Sequence, residues 1–117
     1  MAGGQADLPV LSVLEREAIA TYFGGDADFY QVFLASAVAQ FPADLQEGDA
    51  AVAAGDGQAL RRAAHTLKGV LLTLGHSELS ACAKSVELAA QQSSWEETVA
   101  GWRELRSRMV SAFSLQP

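Results

Sequence analysis

His65 is one of two histidines in the 117-residue chain, and it stands in the run Arg61-Arg62-Ala63-Ala64-His65-Thr66-Leu67-Lys68-Gly69. A neutral imidazole is a competent nucleophile near neutral pH, and a phosphoryl group placed on it is a dianion that ammonium and guanidinium groups stabilise. Lys68 lies three residues after His65 and Arg61 four before it, so both are within reach along a helix surface. Gly69, one turn beyond His65, presents no side chain to block another molecule's backbone or a phosphoryl group. Glycine in a helix interior costs roughly 1 kcal/mol relative to alanine, so something other than helix stability selects it. These residue types at this spacing describe a phosphoryl-carrier site.

The element that must position them is a helix. Leu60, Ala63, Ala64, Leu67, Leu71 and Leu74 recur at three- and four-residue steps, the pattern of one buried stripe. At ~100° per residue His65 falls ~160° from the centre of that stripe, near Leu67, so its ring faces water or a partner. Leu72 falls close to His65 on the same wheel, where it either packs against a neighbouring helix or forms part of an apolar docking surface. Arg62 points outward on the flank opposite Lys68, as a solvated residue or as a charge steering an acidic partner. Glu87 follows His65 by twenty-two residues across a turn at Gly75, which brings two antiparallel helices alongside each other. Its carboxylate either fixes the imidazole tautomer by accepting a hydrogen bond or is a solvated group at a helix edge.

His65-Thr66-Leu67-Lys68-Gly69, with Gly75 six residues later, resembles the signature of histidine phosphotransfer (HPt) domains of multistep phosphorelays. Gly24-Gly25-Asp26 and Ala54-Gly55-Asp56 resemble that family's helix junctions, and Leu79, Cys82 and Glu87 its following helix. The resemblance implies that His65 accepts a phosphoryl group from a receiver-domain aspartate of a hybrid sensor kinase and passes it to the aspartate of a response regulator. It implies that Lys68, with Arg61, neutralises the phosphoryl oxygens, that Gly69 grants access and that Glu87 orients the ring. Some HPt-like domains of chemotaxis kinases carry a glutamate at the last position, where other members carry an amide. The chain binds no cofactor of its own in this scheme, and the receiver brings the Mg²⁺. Many members have small residues after Gly69, whereas this chain has Val70, Leu71 and Leu72, and His76 stands where a small residue is commoner. A bulkier docking surface, with Arg61, Arg62, Leu72 and His76 contacting the partner, is the expectation.

Length and composition set bounds. The chain is long enough for one domain with a single core. Half of its residues are apolar and only three are proline, so helix is the expected class. A net charge of −6 argues against nucleic acid or an anionic membrane as the main partner. Against that background Arg61, Arg62 and Lys68 are three of only eight basic residues. Cys82 is the sole cysteine, which excludes an internal disulfide, and its place on an apolar stripe favours packing over reactivity. No apolar run approaches the ~20 residues that span a bilayer and no signal-peptide core is seen, so a soluble cytoplasmic monomer is expected. The chain reads equally well as the end of a larger kinase. Residues 1–10 read as a flexible or expression-derived leader.

Along the chain, Ser12 and Glu15 have capping-box spacing ahead of an apolar face of Leu14, Ala18, Ile19, Tyr22 and Phe23. Gly24-Gly25 ends this first helix and Asp26 caps the next, whose face is Phe29, Val32, Phe33, Ala37, Phe41 and Leu45. Pro42 is expected to kink that helix near Val38 or to break it in two. Gly55-Asp56-Gly57 turns into the His65 helix. Ser77 is expected to cap a fourth helix with an inner stripe of Leu79, Cys82, Ala83, Val86, Ala89 and Ala90, followed by a polar link, Gln91-Gln92-Ser93. Ser94 and Glu97 open the last helix, whose face is Val99, Trp102, Leu105, Met109, Val110 and Phe113; Trp102 is read as core and Trp95 as partly covered. The expected fold is an all-α antiparallel four-helix bundle with an additional N-terminal capping helix, forming one domain over residues 1–117.

No Gly-rich phosphate loop is present, so the chain is not expected to phosphorylate itself from ATP. His65 and His76 do not suffice for a metal site, because zinc needs three or four protein ligands; His76 is instead expected at a helix end, its ring facing the negative end of the helix dipole. Two other functions fit the residues. One is a non-catalytic helical adaptor; the other is the phosphoacceptor domain of a chemotaxis-type kinase.

Overall fold

Five helices account for the regular structure of the computed structural model, which describes residues 11–92 and 94–117. The expected leader over residues 1–10 lies outside the described residues, as does Ser93 of the expected polar link. The helices are α1 (Val13–Tyr22), α2 (Ala27–Ala54), α3 (Gly57–Thr73), α4 (Ser77–Gln92) and α5 (Trp95–Phe113). Each begins where a short polar side chain satisfies the free amides of the first turn. Ser12 and Glu15 form a reciprocal capping box, Asp26 accepts from the Phe29 amide at 3.0 Å, Asp56 from that of Ala59 at 3.0 Å, and Ser94 from that of Glu97 at 3.2 Å. The exception is α4. There Ser77 is the first helical residue, and the His76 carbonyl accepts the first helical bond, from Ser80, at 2.9 Å. Gln91 and Gln92 continue α4 rather than forming a link.

α2 to α5 form an antiparallel bundle in which α3 packs most extensively against α4, and α1 lies against it as an extra N-terminal helix. α2 runs unbroken through Pro42. The core unites Tyr30, Phe41, Leu45, Leu60, Leu67, Leu71, Leu74, Val86, Trp102, Leu105 and Met109 with Ile19 and Phe23 from α1. Phe23 is met edge-on by Phe29, Tyr30 and Phe33 at centroid distances of 5.4, 5.3 and 5.4 Å. The Tyr30 hydroxyl donates to the Leu74 carbonyl at 2.7 Å and to Glu15 Oε2 at 3.3 Å, so one phenol joins α2 to the end of α3 and to α1.

Several expected faces are shifted. Leu14, Tyr22, Phe29 and Val32 are exposed, Val32 to 68 %, and the buried stripe of α2 instead runs through Tyr30, Phe41, Leu45, Gly48 and Ala51. Tyr30, Phe41 and Gly48 are 11 and 18 residues apart and therefore fall within ~20° of one another. Val32 is on the far side of the same helix. Gly48 is buried because the Trp102 indole occupies the space a Cβ would take. The indole Nε1 donates to Asp49 Oδ1 at 2.9 Å, and Arg106 Nε lies 3.1 and 2.9 Å from the two Asp49 oxygens.

Gly75 closes α3 at φ +88, and a Cβ on it would stand 2.7 Å from the Leu14 carbonyl oxygen and 2.8 Å from the Glu15 Cα. Only glycine meets both the left-handed backbone and that close approach of α1.

Candidate functional site

α3 is amphipathic, and its stripe of Leu60, Ala63, Ala64, Leu67 and Leu71 is buried, which turns the residue at position 65 outward. The His65 side chain is 65 % exposed. Its Nδ1 lies 2.8 Å from Oε2 of Glu87, on α4, and the other Glu87 oxygen lies 2.8 Å from Lys68 Nζ. One carboxylate thus holds both the ring and the ammonium, and it is itself only 13 % exposed. The hydrogen bond from Lys68 holds the Glu87 carboxyl below the usual carboxylate range; burial opposes this and the bond to His65 adds to it.

An ionised carboxylate only accepts, so in the neutral imidazole Nδ1 carries the proton and Nε2 keeps the lone pair. No hydrogen bond engages Nε2 among the described residues. The nitrogen with nucleophilic capacity is therefore the one turned away from the bundle.

Around the ring the surface divides. Arg61, Arg62 and Thr66 line a cleft of about 410 Å³ together with His65 and Glu87. Among the described residues neither arginine forms an ion pair. Gly69 is exposed, and a Cβ built there meets no atom within 4 Å, so nothing in the molecule's own packing requires a glycine. Leu72 is 47 % exposed and lines a separate groove with Leu14 and Tyr22 of α1, which makes that groove's rim apolar.

His76 is not part of this arrangement. Its ring packs against Phe113 at a centroid distance of 4.9 Å and a tilt of 57°, its Nε2 lies 3.8 Å from Glu15 Oε2, and it lines a cleft between α1, the start of α4 and α5. It stands between the two helices, its backbone N–H donating to the Leu71 carbonyl at the end of α3 and its carbonyl accepting from Ser80 at the start of α4, both at 2.9 Å.

A family model described as the Hpt domain matches residues 28–112. The chain belongs to the Hpt domain family. Hpt domains carry phosphoryl groups in histidine-based phosphorelays and interact there with receiver domains. No curated protein and no solved structure matches the chain significantly. The Hpt match spans α2 to α5 and contains every residue of the His65 cleft, while α1 lies outside it. No described helix is long and apolar enough to cross a membrane.

Two residues of this Hpt domain lie at the site without a role assigned to them from the sequence. Thr66 lines the cleft next to His65, and Ser80, 6 % exposed, donates from its hydroxyl to the Lys68 carbonyl at 2.8 Å. The only signal for Ser80 is a polar residue between Leu79 and Cys82 on the edge of the α4 stripe, and its bonding partner is apparent only once α3 and α4 are docked.

Proposed function

We propose that His65 is the phosphoacceptor of this Hpt domain, taking a phosphoryl group from a receiver-domain aspartate of a hybrid sensor kinase and passing it to a response-regulator aspartate. The observation that carries the reading is the 65 % exposed ring with Nδ1 engaged by Glu87 and Nε2 free of any hydrogen bond among the described residues. In the transfer the acyl P–O bond of the aspartyl phosphate breaks, the N–P bond forms at Nε2, and the aspartate carboxylate leaves. The Nδ1 proton stays against Glu87, which offsets the positive charge that develops on the ring.

Phosphoryl transfer depends on in-line positioning and charge neutralisation more than on acid-base chemistry. Lys68, tethered by Glu87 at rest, is the ammonium best placed to turn toward the phosphoryl oxygens, and Arg61 the nearest guanidinium candidate on the same helix. Open space at Gly69 lets the partner's backbone come close. Arg61 and Arg62 attract an acidic partner surface and Leu72 supplies an apolar contact. The receiver contributes Mg²⁺, and a cytoplasmic monomer goes with this reading.

The test is incubation with a panel of phosphorylated receiver domains. Acid-labile, alkali-stable label on the wild type and none on His65→Gln supports the relay. Stoichiometric binding without label supports an adaptor, and label delivered only from a kinase's ATP-binding domain supports the chemotaxis-type alternative.

A further inference from the structure

We propose that Ser80 is a positioning residue for the His65 site, its hydroxyl locking the backbone of Lys68 to α4 and so fixing the register at which Glu87 meets His65 and Lys68. The proposal rests on the reading of His65 as the acceptor only for its consequence in transfer; its structural content stands apart.

The two helices of the α3–α4 hairpin are joined by only three residues, and the Glu87 contacts lie far from that turn. Ser80 precedes Glu87 by seven residues, two turns of α4 and about 10 Å of rise. Lys68 follows His65 by three. The hydroxyl bond from Ser80 to the Lys68 carbonyl therefore ties the hairpin between its turn and the Glu87 contacts, on the same seam. A slip of one residue along either helix is about 1.5 Å. Because the bonds to Glu87 run across the seam, such a slip stretches 2.8 Å only to about 3.2 Å, but it bends both bonds away from the line on which their strength depends.

The tie is placed where α3 is weakest. Gly69 follows Lys68 directly and loosens the helix interior, and the carbonyls on both residues receive an extra hydroxyl bond. Ser80 supplies that of Lys68 and Thr73 that of Gly69, at 2.9 Å. Of the two, only Ser80 comes from the helix that carries Glu87. Apolar packing of Leu67, Leu71, Leu79 and Ala83 holds the hairpin together, and the hydroxyl bond adds a direction that apolar contacts lack.

The Lys68 carbonyl keeps its place in the α3 helix when the hydroxyl is removed, so Ser80→Ala leaves no orphaned acceptor and is expected to fold. The first readout is the ¹⁵N spectrum of the His65 ring. The wild type is expected to show Nδ1–H as the dominant tautomer, Ser80→Ala a mixture enriched in Nε2–H, and Ser80→Thr, which keeps a hydroxyl, the wild-type spectrum. The second is phosphotransfer from whichever receiver labels the protein: Ser80→Ala lowers the maximal rate about three- to tenfold with KM unchanged, and has no further effect once Glu87→Ala is present, because the two act through one contact.

An unchanged tautomer ratio in Ser80→Ala overturns the proposal, as does an equal loss in the presence and absence of Glu87, which would mark a merely structural role. If no receiver labels the wild type, the relay reading falls, while the ring spectrum still decides the role of Ser80.

Discussion

Glu87 Oε1 lies 2.8 Å from Lys68 Nζ, so the ammonium one helical turn from the imidazole is already engaged by the residue that meets the imidazole. Removing the carboxylate with Glu87→Ala frees Lys68 but releases the ring, and the ring's loss dominates. Transfer to the protein should slow about tenfold, equal to about 1.4 kcal/mol of barrier. Stopped-flow transfer from a labelled receiver measures it, and an unchanged rate would assign Glu87 to stability alone.

The same contact has a pH signature. The Glu87 carboxyl is held below its ordinary value of 4.5 in the folded protein, so its contribution to stability is fully present above that value and is lost as the pH falls through the lowered one. Thermal unfolding of wild type and Glu87→Gln should therefore differ most at neutral pH and converge in acid. A difference that widened on acidification would contradict the assignment.

At Gly69 two substitutions separate helix propensity from access. Gly69→Ala meets no atom within 4 Å and should stabilise the protein by about 0.5–1 kcal/mol in urea unfolding. Gly69→Gln should leave circular dichroism unchanged yet slow transfer about tenfold, again about 1.4 kcal/mol. Equal transfer rates for Gln and Gly at this position would remove the access argument.

Tyr30 supplies a fourth prediction, on stability. Its hydroxyl is the donor to the buried Leu74 carbonyl, so Tyr30→Phe leaves that carbonyl without this partner and should cost about 1–3 kcal/mol. Burial, with Glu15 adding to it through its charge and hydrogen bond, pushes the phenol up to about 12. A raised folded-state value means that the stabilisation is present below the ordinary 10 and disappears as pH climbs through about 12. Spectrophotometric titration of the phenolate band should show a late ionisation in the wild type that Tyr30→Phe removes.

Gly48→Ala tests the notch that admits Trp102. The added methyl overlaps the indole, and the ring cannot retreat without losing its bond to Asp49. A loss of at least about 2 kcal/mol is expected, with a red-shifted tryptophan emission. Retention of full stability would show that the indole has another place to go.

Much of this was legible in the sequence, and the limits have physical causes. Polar caps at Ser12, Asp26 and Ser94 and the leucine stripe of α3 fix helix starts and one buried face through local chemistry, so those readings needed no tertiary knowledge. The covered arc of α2 did not follow, because Phe29 and Tyr30 are adjacent and equally plausible on a wheel; the choice between them is made by Phe23, Leu74 and Glu15, which lie on other elements. Leu14 and Tyr22 are bare because α1 has neighbours on one narrow side only. Gly48 reads as a weakness in a helix until Trp102, more than fifty residues away, is set against it. His65 stood out because exposure on an amphipathic helix is a local property, whereas Ser80 is visible only as one half of a contact.

Phe23 stands outside the segment on which the family likeness rests, yet three aromatic rings close around it. A truncated version begun at Asp28 would leave those rings facing an empty seat, and solvent or a neighbouring molecule would fill it. Such a fragment should stain with hydrophobic dyes and self-associate. The first helix, which brings Ile19 and Phe23 into the core, consequently belongs to the folding unit, and any fusion or dissection that respects only the recognised family limits cuts through a working part of the interior.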